Sequence, residues 1–209
     1  MSGRPIVFVD TETTALGSLA RPWEIAIIRR EPDGAETQYV GQIEYDLRSL
    51  PSGTTPEALH VGGWLTRGAP GTKYVGHRGE PTDFRWADER AAALDLRRYF
   101  QDAPVLVGVG VHFDAGILAG LFGRAGVSAS WHYALVDLKA ATWGFLHGRA
   151  RDVESGPLEE RWVLPMRSEA LAAVMCVAPP PADERHTALG DVRSAARWFD
   201  ALINDGAQR

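Results

Sequence analysis

Asp10-Thr11-Glu12-Thr13 sets two carboxylates at i and i+2, directly where the apolar run Ile6-Val7-Phe8-Val9 stops. Side chains two apart on an extended strand point to the same face, so both acids project together. Carboxylates held that close repel, and one keeps its proton unless a cation lies between them. A divalent ion that prefers oxygen ligands, Mg2+ or Mn2+, is the simplest such cation. An Asp-x-Glu triplet arises by chance on the order of once in two chains of this length, so the pair needs partners elsewhere.

The elements that must position the pair can be read in outline. The run before Asp10 reads as a strand covered on both faces. Glu24-Ile25-Ala26-Ile27-Ile28 and the alternating Gln38 to Tyr45 read as two further strands, forming an antiparallel meander in which only the first strand is deeply buried. Thr55 and Pro56 mark a helix start that Gly62-Gly63 ends. Residues 61–79 hold Arg67, Lys73, His77 and Arg78 and no acid, and read as a basic surface loop. Trp86 to Phe100 suits a helix with Ala93, Leu96 and Phe100 on one face. Val105 to Val111 reads as a second fully apolar strand and Tyr133 to Asp137 as a fifth, with helices between and after them. Residues 148–164 read as a loop or insertion. Ser168 is expected to cap a helix that Pro179-Pro180-Pro181 stops, and a final helix spans Ala188 to Leu202. No linker or internal repeat divides the chain, so residues 1–209 are expected to form one domain.

Composition narrows the class. With 209 residues, 45% hydrophobic and 23% charged, the chain can bury a single large core. No apolar stretch reaches about 18 residues, which excludes a membrane-spanning helix. Cys176 is the only cysteine, which excludes an internal disulfide and suits a reducing compartment. The N-terminus runs straight into the first strand without a signal-peptide pattern, so a cytoplasmic location is expected. The net charge of −5 is compatible with nucleic-acid binding if metal-binding acids dominate the total while a local basic patch steers phosphates.

Partners for the first pair follow along the chain. Asp114 lies just past the second apolar strand, and Asp191 stands five residues after His186, next to Gly190. In open α/β sheets, ligands gather at strand ends where the topology switches. Four acids and a histidine in this order resemble the DEDDh family of 3′–5′ exonucleases, which includes polymerase proofreading subunits, RNase T and oligoribonuclease. The resemblance rests on Phe8 to Thr14, Val107 to Asp114 and His186 to Val192, and with the strand order between them it covers nearly the whole chain. Val109 and Gly110 stand where the family usually carries His-Asn, and Ala15 where it usually carries glycine.

The resemblance implies an RNase H-like α/β fold: a mixed five-stranded sheet, three strands in an antiparallel meander plus parallel strands, flanked by helices. It implies hydrolysis of single-stranded DNA or RNA from the 3′ end to nucleoside 5′-monophosphates, with two Mg2+ or Mn2+ ions. Asp10 would bridge the ions, Glu12 and Asp191 would complete the first, and Asp114 would hold the second. His186, with an imidazole pKa near working pH, would accept the proton of the attacking water. His112 is a neighbour that competes for that role, and Asp137 is expected to make structural hydrogen bonds. Thr13, Leu16, His60, Trp64 and Phe113 are candidate contacts to the terminal nucleotides, with Leu16, Trp64 and Phe113 able to wedge or stack against bases. His60-Val61-Gly62-Gly63 resembles a His-Gly-Ile-Thr-like element of proofreading members, with the glycine shifted by one. Two rivals remain: a silent nucleic-acid-binding module on the same fold, and a haloacid-dehalogenase-type phosphatase, whose Asp-x-Asp-x-Thr spacing Asp10, Glu12 and Thr14 imitate. A stand-alone enzyme, a homodimer and a polymerase-associated subunit are all open at this stage.

Overall fold

The computed structural model describes residues 3–46, 48, 50–69, 85–152 and 167–207. Strands β1 (Ile6–Thr13), β2 (Pro22–Arg30) and β3 (Glu36–Ile43) come first, followed by short helices α1 (Pro56–Val61) and α2 (Trp64–Arg67). Next are β4 (Arg85–Trp86), α3 (Glu89–Leu96) with a 3-10 turn at Arg97–Phe100, β5 (Val105–Gly108) and α4 (Val111–Ala125). The chain continues through β6 (Val136–Asp137), α5 (Leu138–Asp152), α6 (Ser168–Val174) and α7 (Ala188–Ala207).

The strands form one sheet in the order β4-β3-β2-β1-β5-β6. The β1–β2 and β2–β3 pairs are antiparallel, whereas β1–β5 and β5–β6 are parallel. This is the expected mixed α/β sheet, with its five strands in place and the two-residue β4 added along the outer edge of β3. β1 sits inside, between an antiparallel and a parallel neighbour.

The period-2 alternation of β1 divides the core. Val7 and Val9 join Ile25, Ile27 and Leu106 under α3 and α4. Phe8 points the other way and packs with Ala26, Ile28 and Val107 against α7 and the Leu171 face of α6. Asp10 and Glu12 continue the Phe8 series and therefore lie on the α7 side of the sheet.

Several boundaries differ from expectation. β1 extends through Thr13, so the acids lie within a paired strand rather than beyond its end. β2 is as deeply buried as β1, because helices cover both of its faces and strands flank it on both edges. The apolar strand at 105 ends at Gly108. Gly110 adopts a left-handed conformation (φ 77°), and Val111 opens α4. Trp86 belongs to β4, and α3 begins after Asp88, whose carboxylate caps Ala91 N–H. Ser168 is the first residue of α6 and Arg167 its N-cap. Residues 148–152 continue α5, and residues 64–67 of the expected basic loop form α2. Residues 70–79, with Lys73, His77 and Arg78, and residues 153–164 lie outside the described residues. The Thr55 cap, whose hydroxyl accepts from Ala58 N–H, and Pro56 at the first position of α1 are as expected. Among the described residues, no helix is long and apolar enough to cross a membrane.

Candidate active site

Asp10 and Glu12 meet Asp191 across the gap between β1 and the first turn of α7. One carboxylate oxygen from each lies within 4.8 Å of the others. Oxygens around an octahedral Mg2+ at about 2.1 Å are spaced roughly 3 to 4 Å apart, so small side-chain adjustments would close this set on an ion.

The start of α7 fixes where Asp191 falls. Thr187 caps the helix by accepting from Gly190 N–H at 3.0 Å while its hydroxyl donates to the Glu184 carbonyl at 2.8 Å. A side chain at Gly190 would overlap that carbonyl, so the missing Cβ lets the chain's own backbone pass close to the start of α7. His186 stands just before this turn, exposed, with its backbone in the left-handed region at φ 56°. Its charge is the leading influence lowering the Asp191 pKa against the effect of burial, which places the imidazole within electrostatic reach of that carboxylate.

Asp114 reaches the site from the other side of the sheet. It is buried in the first turn of α4, and its Oδ1 accepts from Thr11 Oγ1 at 2.7 Å. Thr11 lies between Asp10 and Glu12 in β1 and points away from them, so this hydrogen bond clamps α4 to the strand carrying both acids. Asp114 is not in the three-residue cluster, yet after burial it is the charge that most perturbs Asp10.

All four carboxyls hold protons unusually tightly. Burial is the first cause in each case, reinforced at Asp10 by Asp114, Asp191 and Glu12, so the Asp10 carboxyl sits well above the normal range. Burial and the facing Glu24 push Glu12 up to about 8. Burial raises Asp114 to about 7 despite the Thr11 hydrogen bond, and Asp191 to about 6. The desolvated oxygens of Asp10, Glu12 and Asp191 lie close enough to hold a cation, and an all-carboxylate donor set suits hard divalent ions.

The other anticipated residues separate into two groups. Leu16 is 86% exposed and Phe113 37% exposed, and His60 is also at the surface. Gly62, two residues after His60, sits so close to Glu12 that a Cβ there would lie 2.6 Å from Oε2, which brings the α1–α2 turn to the site's edge. Trp64, by contrast, is fully buried with Trp23 and Leu59, so its ring belongs to the core and offers no stacking surface. Thr13 is buried and its hydroxyl donates to the Ala15 carbonyl at 2.7 Å, so its side chain is engaged within the chain itself. His112 lies exposed in the first turn of α4 rather than on a strand end. Asp137 has the structural role expected of it, accepting from Lys139 N–H and Ala140 N–H at the start of α5.

The sequence reading missed Glu24 and Arg67 as a unit. Glu24 is fully buried directly across from Glu12 in the β1–β2 ladder, and Arg67 Nη1 lies 2.9 Å from both of its oxygens. An acid inside the apolar run Trp23 to Ile28 was the available signal, because a fully buried carboxylate demands a partner.

No protein-family model matches the chain, and no curated protein matches it by sequence. Among solved structures, it is similar to E. coli exonuclease I in complex with a dT13 oligonucleotide, with TM-score 0.66 and 20% identity over 97% of this chain and 41% of that one. A product-bound exonuclease I structure matches with TM-score 0.65 and 18% identity, over 96% of this chain and 43% of that one. A zinc-bound complex of E. coli exonuclease I with single-stranded DNA matches with TM-score 0.62 and 17% identity, over 99% and 41%. The chain thus spans about two fifths of the length of these proteins. At this level of identity the likeness establishes architecture: the chain has the RNase H-like α/β fold found in exonuclease I.

Proposed function

We propose that this protein is a metal-dependent 3′–5′ exonuclease that removes nucleoside 5′-monophosphates from single-stranded nucleic acid. The observation that carries the reading is the convergence of Asp10, Glu12 and Asp191 oxygens within 4.8 Å on the α7 face of the sheet. The solved structures of similar fold support it, several of them being exonuclease I bound to single-stranded DNA oligonucleotides.

Asp10, Glu12 and Asp191 would hold one divalent ion, and Asp10 with Asp114 a second. When bound, such ions activate water at neutral pH and neutralise charge on the departing 3′ oxygen. Around them the chain's own groups orient and move protons. His186, exposed at the mouth of the site, takes the proton of the attacking water and releases it to solvent. The Thr11 hydroxyl holds the Asp114 carboxylate by a 2.7 Å hydrogen bond, within electrostatic reach of Asp10. Leu16 and Phe113 would provide exposed apolar surface for the terminal bases, and His60 is exposed as well.

Asp10→Ala and Asp191→Asn are expected to abolish turnover while circular dichroism and the thermal midpoint show a folded protein. Full activity in either variant would remove that residue from the site. His186→Ala is expected to lower kcat by roughly 100-fold or more while Mn2+ affinity stays near wild type. Loss of Mn2+ affinity with kcat preserved would contradict its role as base. A silent binding module would retain an oligonucleotide without shortening it, and comparing wild type with Asp10→Ala separates the two readings.

A further inference from the structure

Glu24 is a fully buried carboxylate in β2, flanked by the apolar residues Pro22, Trp23 and Ile25 to Ile28. Arg67 Nη1 lies 2.9 Å from Oε1 and from Oε2, Gln42 Nε2 donates to Oε1 at 2.8 Å, and Ala188 N–H donates to Oε2 at 3.0 Å. The last bond ties the first residue of α7 to the middle of the sheet. The other arm of the Arg67 fork, Nη2, donates to the Gly62 carbonyl and, at 2.8 Å, to the His186 carbonyl. The guanidinium also lies over the Trp23 ring, 5.2 Å from its centroid.

One planar cation therefore joins three segments that are distant in sequence: β2, the α1–α2 turn and the loop that carries His186. Each lies against the candidate site. Glu24 faces Glu12 across the ladder, and the Gly62 turn packs on the Glu12 carboxylate. Thr187, between the Arg67-bound carbonyl and the Glu24-bound amide, caps the helix carrying Asp191. His186 adopts a left-handed backbone that residues other than glycine rarely hold without outside support. A buried ion pair is weak evidence for stability, since apolar residues of similar volume often serve as well, so its value here lies in what its geometry fixes. Lysine could neutralise Glu24 but has no fork with which to grip two carbonyls as well.

We propose that Arg67, seated on Glu24, is a positioning residue: its second arm holds the His186 carbonyl and so sets where the imidazole stands over the metal-binding acids. This rests on the exonuclease reading for its kinetic consequence, though not for its structural one. Arg67→Lys is expected to lower kcat roughly 10- to 100-fold, the scale of loss from misplacing a reacting group by about 1 Å. KM for a single-stranded oligonucleotide and Mn2+ affinity, read by electron paramagnetic resonance, should stay within about threefold of wild type. Methylguanidinium should restore part of the lost kcat to Arg67→Ala and none to His186→Ala. In the metal-free protein, the His186 imidazole resonances should move in Arg67→Lys whether or not the protein has activity.

An active wild type whose kcat and His186 resonances are unchanged by Arg67→Lys would overturn the positioning role. So would a loss confined to KM, or a loss in Arg67→Ala that methylguanidinium cannot reverse while Arg67→Lys retains full kcat. An inactive wild type whose His186 resonances still move in Arg67→Lys would overturn the exonuclease reading and leave the positioning role standing.

Discussion

The acids at this site carry opposite demands in the metal-free and metal-loaded protein. Burial and mutual repulsion raise the carboxyls of Asp10, Glu12, Asp114 and Asp191, with Glu12 at about 8, Asp114 at about 7 and Asp191 at about 6. An unfolded chain releases these protons near pH 4, so between about pH 4 and 8 the folded metal-free protein binds more protons than the unfolded one. Its stability is then greatest at the acid end of that window and falls as pH rises through the folded values. Thermal midpoints in EDTA should decline from pH 5 to pH 8, and a rise over that range would contradict the protonation pattern. Mg2+ or Mn2+ should raise the midpoint more at pH 8 than at pH 5, because at the lower pH ligation must displace protons. The pairing of Asp10 with Glu12 was legible in the sequence because strand periodicity alone puts i and i+2 on one face. Glu24 was not, since its arginine comes from 43 residues downstream and only the fold brings the two together.

At the scale of elements, the site depends on where helices begin. α7 starts at Ala188 on a cap built by Thr187, and Gly190 lets the helix pass against the Glu184 carbonyl. Gly190→Ala is expected to force that backbone apart, costing about 1–3 kcal/mol in chemical denaturation together with most of the turnover. Stability and activity equal to wild type would show that the contact is not needed. α4 shows how a helix start can be hidden. Val109-Gly110-Val111 continues an apolar run and reads as strand, yet Gly110 at φ 77° turns the chain so that Val111 opens the helix and Asp114 falls in its first turn. Thr55-Pro56 was readable because a side-chain cap and a proline act locally. The burial of Trp64 was not, because an aromatic at the start of a four-residue helix can face either way until Trp23 and Leu59 surround it.

For the whole molecule, the sheet order decides what can meet. β1 lies between β2 and β5, so its acid-bearing face is covered by α7 while α4 packs under the opposite face. Asp191 arrives from one helix and Asp114 from the other, each through the first turn of its element. Alternation in β1 was enough to put Asp10 and Glu12 on one face, whereas Asp191 and Asp114 were expected beside them from the family resemblance. The depth of β2 was not, because it follows from neighbours on both edges and helices on both faces rather than from its own residues. The most direct test of the account is to incubate 5′-labelled single-stranded DNA and RNA with the wild-type protein in Mg2+, with and without excess EDTA, beside Asp10→Ala. The account predicts a ladder that shortens one nucleotide at a time from the 3′ end, abolished by chelation and by the substitution. Intact oligonucleotides with wild type in both Mg2+ and Mn2+, or a ladder that persists in EDTA, would contradict it.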